Sequence, residues 1–355
     1  MPPSPADERI TVVHLGNDAD SVRGGIAAVI RQHLSNPDER LSVSAIATYD
    51  PNGRGHLSRN VPYARALRWV VAGRGGRSAV AHVHLSQGGS LVREGLLVGL
   101  LRLRRIPVVV TLHGSSSLSN GRVPFVLTGL VLRLASVAHF LSDAHRRRYG
   151  RFTGRHVTVP NAVPVDPAPA TNRQPDVVFA GVVGTRKGVD VLLKAWQALP
   201  SAGWTLHLYG PPDSDFPLPR DIPGVVAHGE VTPDAVQQAL ATASIAVLPS
   251  REEAFPMFLV EAMAQGCAIV ATDVGGVREL MGEGGLLVRA DDADALGDAL
   301  ARLISEPGTR AEFAGAAGAR AADRFDAGPV ARQWADTYAS LAVGTPTSQG
   351  GACRG

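Results

Sequence analysis

Short runs of branched apolar residues, each followed by a stretch with helical spacing, recur along this chain and are interrupted once by a proline-dense segment. In the first part, residues 10–15, 80–85, 107–112, 137–141 and 157–159 read as strands, with helices over 26–34 and 91–104 between them. Strands separated by helices are expected to pair in parallel, because a parallel neighbour is reached only through a crossover. The segment 160–169, PNAVPVDPAP, is stiff and suits a linker between two bodies. Beyond it the pattern restarts with strands 177–180, 205–209, 225–228, 244–249, 268–271 and 285–288, and helices 189–199, 234–241 and 292–304. The expected fold class is therefore α/β, with one wound parallel sheet in residues 1–165 and another in 166–328. A last helix is expected over 329–343, and the tail 344–355, rich in Gly, Ser and Thr, is expected to be disordered.

At 355 residues and 45% hydrophobic composition the chain is large enough for two ordinary cores. Cys267 and Cys353 are too few for a disulfide framework or a zinc site, which fits a reduced, cytoplasmic setting. The start, MPPSPADERI, carries acids and prolines where a signal peptide needs a basic, then apolar, stretch. No segment is long enough to span a bilayer, since the apolar run 96–103 is short and bordered by Arg93, Arg102, Arg104 and Arg105.

The net charge of +3 hides an asymmetry. Residues 1–165 hold 21 basic and 9 acidic side chains, a net of +12, and the remainder holds 14 and 23, a net of −9. Arginine clusters at 102–105 and 146–148 fit anionic lipid headgroups, lipid-linked phosphates or an acidic polymer, or are plain solvated helix faces. Nucleic acid is disfavoured, because the basic residues lack interleaved aromatics and only 5% of the chain is aromatic.

The chemistry concentrates in SREEAFPMFLVEAMAQG, directly after the apolar run 244–249. Pro256 presets a helix start, so the amides around Phe255, Pro256, Met257 and Phe258 would offer unpaired N–H groups and a positive dipole end to a diphosphate. Glu261, within that helix, would accept hydrogen bonds from ribose hydroxyls, and Glu253, just ahead of it, would face the sugar or its leaving oxygen. Arg186 and Lys187, in the glycine-bounded loop 181–188, would meet the phosphates; Lys187 is one of two lysines in the chain. Gly24 and Gly25 open the first helix and would let backbone N–H groups approach a donor or acceptor phosphate. Their spacing is not the dinucleotide fingerprint of an oxidoreductase. Gly275 and Gly276 would shape a turn beside the donor.

These segments resemble the retaining family 4 glycosyltransferases, with Glu253 and Glu261 matching their E-x7-E motif. Arg23-Gly24-Gly25, VVVTLHG ending at Gly114, FLSDAHRRR, VPNAV, FAGVVGTRKGVDVLLKAW and ATDVGGVREL match in the same order. The resemblance implies the GT-B fold, two facing Rossmann-like domains with an interdomain cleft, the donor on the second domain and the acceptor on the first. It implies that the C-terminal helix packs back on the first domain. It implies Lys187 and Glu253 as catalytic residues, with His113 touching the transferred sugar, and it leaves Gly24 and His84 on the acceptor side. The chain departs from the pattern at Val182, where an Arg is usual, so Arg186 would have to supply that charge.

The expected activity is transfer of a hexose from a nucleoside diphosphate, UDP before GDP, to an acceptor hydroxyl, with no cofactor and no metal. The acceptor would be a glycan, a lipid-linked glycan or a small molecule, in polysaccharide or glycolipid assembly, on or near the inner face of a membrane. The acidic pair Asp213 and Asp215 lies in a proline-rich loop and reads as a turn, and Asp291, Asp292 and Asp294 read as a helix start. A non-catalytic nucleotide-sugar-binding subunit, or transfer to a small sugar phosphate or metabolite, is the alternative.

Overall fold

Eight or fewer consecutive branched or small apolar residues make strands that bury on both faces, and the computed structural model builds its sheets from such runs. It describes residues 9–18, 25–35, 38–50, 56–72, 79–86, 88–114, 121–165, 172–200, 203–217 and 222–342. Gly24, Cys353 and the expected tail lie outside them.

The chain forms two compact units. The first contains β1 (Ile10–Asn17), α1 (Gly25–Ser35), β2 (Leu41–Tyr49), α2 (His56–Ala72), β3 (Ala79–Leu85), α3 (Gly89–Leu103), β4 (Val108–Leu112), α4 (Arg122–Leu134), β5 (Val137–Phe140), most of α5 (Asp143–Tyr149) and β6 (His156–Val157). The second contains β7 (Gln174–Ala180), α6 (Val189–Ala198), β8 (Thr205–Tyr209), β9 (Val225–Gly229), α7 (Pro233–Thr242), β10 (Ala243–Leu248), α8 (Met257–Ala264), β11 (Ala268–Thr272), α9 (Val277–Met281), β12 (Gly285–Val288), α10 (Ala293–Ser305) and α11 (Pro307–Arg324). A last helix, α12 (Ala327–Ala342), belongs to the first unit from Gly328 onward. Residues 160–165, read as the end of the first body, sit with the second: the Val163 N–H donates to the Phe325 carbonyl at 2.9 Å.

Each unit has a six-stranded parallel sheet, ordered β2-β1-β3-β4-β5-β6 in the first and β12-β11-β10-β7-β8-β9 in the second. Strand order reverses between β1 and β3, and again between β7 and β10. In wound α/β sheets these switch points open a crevice at the carboxyl ends of the strands, where ligands bind.

Strand β2 and helices α2, α4 and α11 were not among the expected elements. In β2 the sequence LSVSAIATY alternates with polar residues because this is an edge strand, and only Leu41 and Thr48 are buried. Helix α4 leaves Val123, Val126, Leu127 and Leu130 exposed, so its apolar positions do not mark a single inward stripe.

In the second unit, strand alternation sends Val178, Ala246, Leu248, Ile269 and Ala271 to one apolar cluster and Val177, Phe179, Ile245, Val247, Ala268 and Val270 to another. Cys267 is buried in the first of these, and burial raises its thiol pKa to about 11, so it is an inert core residue. The first unit is built differently. Val13, Leu15, Ala81, Val83, Val110 and Phe140 make one hydrocarbon face, and the opposite face carries His14, His82, His84, Thr111 and His139. His14 registers with His82, His84 with Thr111, and Thr111 with His139 across β1, β3, β4 and β5. Helices α1 and α12 cover this layer, with Trp334 against His82, His33 and His139. Among the described residues no helix is long and apolar enough to cross a membrane.

Candidate functional site

Three adjacent strands of the second unit, β7, β10 and β11, deliver their carboxyl-end loops to one place. After β7 the chain makes a short 3-10 turn over Thr185–Lys187 and enters α6 through Gly188. Gly188 has φ 68°, and a Cβ there would lie 1.9 Å from the Pro249 carbonyl oxygen, so the loops after β7 and β10 touch at a point where only glycine fits. After β11, Gly275 is used the same way, with φ 55° and a Cβ position 1.7 Å from the Glu253 carbonyl oxygen. The sequence suggested a turn at Gly275, and the structure adds that this turn presses on Glu253.

Lys187 and Glu253, 66 residues apart, meet across the β7–β10 switch point. The Lys187 ammonium donates to Glu253 Oε1 at 2.6 Å, and the Ser250 hydroxyl donates to the same oxygen at 2.6 Å. Glu253 is 7% exposed and Ser250 fully buried. Thr272 of β11 ties the loop down by donating to the Ser250 carbonyl. A largely buried carboxylate held by two charge-assisted donors has one geometry, and it fixes the lysine with it.

Helix α8 begins beside this pair. Pro256 is its cap, with an extended ψ of 105°, one position ahead of Met257, the first helical residue. Having no N–H, Pro256 shapes the entry but donates nothing. Leu259 donates to the Pro256 carbonyl at 3.1 Å, and no side chain caps the helix. The helix start is thus left to offer its first amides outward. The Phe258 side chain packs in the core against Phe179, so a ligand would meet its backbone. Phe255 and Met257 are half-buried, as is Glu261 further along the helix.

Arg251 is the site residue that sequence reasoning missed. Its guanidinium makes two 2.8 Å bonds to the Asp190 carboxylate and one of 2.7 Å to Asp291, and donates to the Thr185 carbonyl, while its N–H donates to the Arg186 carbonyl at 3.0 Å. The hydrogen bonds from Arg251 hold the Asp190 carboxyl below its usual range. Arg251 therefore staples the turn that carries Arg186 and Lys187. The signal was present, an Arg directly after Ser250 and an Asp directly after Val189, but the 61-residue separation concealed it. Arg186 itself is exposed, and Val182, in the position where the resemblance led one to expect an Arg, is 40% exposed. Asp213 and Asp215 lie in the turn expected of them, and Asp292 caps α10 by accepting from the Ala295 N–H at 2.9 Å.

In the first unit Gly25 follows β1, at the β1–β3 switch point, and His113 follows β4, the next strand along. Gly25 starts α1 and is exposed, and a Cβ there would meet nothing within 4 Å. His113 follows β4 and is partly exposed, yet it is so closely ringed by other groups that desolvation, with the nearby His139, His145 and His33, lowers its pKa to about 3. His84, expected on the acceptor side, is 2% exposed. Its ring is sandwiched between His14 and His113, so it reaches a ligand through His113 and not directly.

The imidazole layer is hydrogen-bonded in two chains. In one, the Val159 carbonyl accepts from His139 Nε2 at 2.6 Å; because a carbonyl only accepts, His139 Nδ1 must accept from Thr111, Thr111 from His82 Nε2, and His82 Nδ1 from the Tyr338 hydroxyl, at 2.8, 2.6 and 2.7 Å. Burial lowers the pKa of His82 well below 6.5 and that of His139 to about 4, so the rings are neutral, as this pattern requires. In the other chain, His14 Nδ1 and His84 Nε2 are 2.8 Å apart, and His84 Nδ1 and His113 Nε2 are 2.8 Å apart. Ligand atoms of His14, His82 and His84 lie within 4.8 Å of one another. The rings of His82 and His84 are nevertheless stacked at 4.5 Å and 18°, so their in-plane lone pairs do not converge on one ion.

Comparison with known proteins agrees with this geometry. Residues 174–306 match the family described as Glycosyl transferases group 1. The phosphatidyl-myo-inositol mannosyltransferase of Mycobacterium leprae is 33% identical over 305 residues, covering 79% of this chain and 78% of that protein. An exopolysaccharide phosphotransferase of Streptomyces coelicolor is 32% identical over 359 residues, 94% of this chain, but the chain spans only 36% of that protein's length. Among solved structures, HepE of Anabaena in complex with UDP-glucose superposes with a TM-score of 0.68 at 19% identity, over 93% of this chain and 99% of that one. Two wound parallel sheets, the loops at their switch points and these relatives lead to one conclusion: the chain belongs to the group 1 glycosyltransferase family and has the GT-B fold.

Proposed function

We propose that this protein is a retaining, family 4 glycosyltransferase that moves a hexose from a nucleoside diphosphate, UDP in preference to GDP, onto an acceptor hydroxyl. The observation that carries this reading is the Lys187–Glu253 pair at the β7–β10 switch point, beside the uncapped start of α8. In the reaction the bond between the anomeric carbon and the diphosphate oxygen breaks, the acceptor oxygen bonds to the same face of that carbon, and the acceptor proton passes to the leaving phosphate. Charge grows on the diphosphate as it departs. Lys187, Arg186 and the first amides of α8 stabilise that charge, and no metal is assigned to the task. Gly25 adds a further backbone contact to the donor.

Glu253 holds Lys187 and faces the sugar, Glu261 takes the ribose hydroxyls as the second acid of the E-x7-E motif, and His113 meets the transferred hexose. HepE, solved with UDP-glucose, supports a UDP-sugar donor, and the inositol-lipid and exopolysaccharide relatives support work in glycolipid or polysaccharide assembly. Residues 166–328 take the donor and residues 1–165 the acceptor, which is a glycan, a lipid-linked glycan or a small molecule.

The acceptor-side unit also carries the groups for peripheral attachment to an anionic membrane on its cytoplasmic face. Leu103 is 80% and Val123 70% exposed on helices that bear Arg102, Arg122 and Arg133, joining apolar contact to positive charge. Co-sedimentation with anionic vesicles, lost in Leu103→Asp/Val123→Asp and absent with neutral vesicles, tests this.

A thermal-shift panel of nucleotide sugars tests the donor, since a ligand selective for the folded state raises the melting temperature with concentration. A UDP-hexose is expected to give the largest shift. Incubation of that sugar with candidate acceptors should then yield product with the anomeric configuration of the donor, in chelator as well as without it. An inverted product would exclude the retaining mechanism.

A further inference from the structure

The two imidazole chains of the first unit end differently. The chain through His82 and His139 ends on a carbonyl, which fixes the direction of every hydrogen bond in it. The chain His14–His84–His113 has no such end. Its inner terminus, His14 Nε2, is buried with no hydrogen-bond partner among the described residues, and its outer terminus is the ring of His113.

Neutral rings linked nitrogen to nitrogen must alternate donor and acceptor, so this chain has two self-consistent states. In one, each ring carries its hydrogen on Nδ1: His14 donates to His84, His84 donates to His113, and His113 presents an Nδ1–H outward. In the other, each carries it on Nε2, the bonds run inward, and His113 presents a bare Nδ1 acceptor. The buried end selects between them. The Nε2 state leaves an N–H donor at His14 with no acceptor, whereas the Nδ1 state leaves a lone pair there, and orphaned buried N–H groups are the rarer of the two. We propose that His14 and His84 are positioning residues that lock His113 as a hydrogen-bond donor at its Nδ1, and that this donor addresses a hydroxyl oxygen of the transferred sugar. The last part rests on the function proposed above; the coupling of the three rings does not.

The stacking in the layer is consistent with a rigid chain. His84 lies over His82 at 4.5 Å and over His113 at 5.0 Å, so its ring cannot rotate without disturbing the fixed chain next to it. His33, 4.6 Å from His14, and His139 and His145, near His113, are likewise neutral, so none of these rings brings a positive charge to the chain near neutral pH.

Long-range proton–nitrogen correlation spectra of the full chain, with imidazole signals assigned by single variants, read the tautomers directly. Nδ1–H rings are expected for His14, His84 and His113 alike; an Nε2–H ring at any of the three overturns the proposal. His14→Asn keeps a donor at the Nδ1 position and should leave the His113 signals where they are. His14→Phe removes that donor and should move them; unchanged His113 signals in a folded His14→Phe protein would also overturn it.

In transfer assays kcat should fall about tenfold in His14→Phe, the worth of one hydrogen bond, with KM for the donor unchanged and His14→Asn close to wild type. His14→Phe/His113→Phe should be no slower than His113→Phe alone, and additive losses would remove the positioning role. Full activity in His113→Phe would sink the sugar contact, while the spectra still decide whether the rings are coupled.

Discussion

The second unit closes both faces of its sheet with hydrocarbon, Phe179 and Val247 on one side and Ile269 and Leu248 on the other, whereas the first closes one face with hydrocarbon and the other with imidazole. The strand order is the same kind of winding in both, so the backbone does not dictate the difference. What differs is where charge is kept. In the second unit the charged groups, Lys187, Glu253, Arg251 and Asp190, sit in loops and a helix start at the strand ends, paired with one another. In the first, titratable rings lie inside the sheet face and survive there by staying neutral and hydrogen-bonded. A sheet can therefore carry polar function inward if the polar group is one that gives up its charge at modest cost, and histidine is the side chain for which that holds.

The contrast can be tested hardest in the hydrocarbon face. Phe179→Ala, at a fully buried ring, is expected to lower unfolding stability by about 3–5 kcal/mol in urea titrations. Next comes the charged site. Lys187→Ala and Glu253→Ala should each reduce turnover by about 10²–10³, with nucleotide binding in calorimetry largely spared in the Glu253 variant. Unchanged turnover would remove both from the chemistry.

The imidazole face should answer to pH where the hydrocarbon face does not. His139 and His145 have folded pKa values of about 4, below the ordinary 6.5, because burial disfavours their charged forms. As pH falls below about 6.5 the unfolded chain takes up protons that the folded chain refuses. Stability should thus be full above that pH and decline by up to about 1.4 kcal/mol per pH unit for each ring until pH approaches 4. His139→Leu and replacement of His145 should flatten the decline in acid-unfolding curves. The smallest effect expected is that of His139→Leu at pH 7.5, about 1–3 kcal/mol, because it strands the Thr111 hydroxyl and the Val159 carbonyl while keeping the volume filled.

Much of this was legible in the sequence. The strands at 205–209 and 285–288 were read with their observed bounds, because the alternating TLHLY and the short apolar GLLV are both flanked by turn residues. The Glu253 and Lys187 loops were visible from glycine and proline punctuation. Strand β2 was missed because an edge strand with Ser42 and Ser44 exposed lacks such a run, and α4 because its exposed Val and Leu obscure the helical stripe. The histidine layer as a whole could not be seen. His82 and His84 share a face of β3 by their two-residue spacing, but His14 and His139 stand alone in other strands, and only strand register, which a sequence does not print, aligns them with that pair. Arg251 escaped for the same reason, since its partners Asp190 and Asp291 are distant in the chain.

Helix α12, the last of the described elements, supplies the Tyr338 hydroxyl and the Trp334 ring to a face assembled from strands far upstream of it. A ribosome making this protein from its N-terminus releases the whole second unit before the first has its lid. Until then His82 lacks the phenol that donates to it, and the row of rings stays open to water. The unit that begins first is completed last, and a nascent chain halted near residue 326 would hold a finished second unit and an unsealed first one.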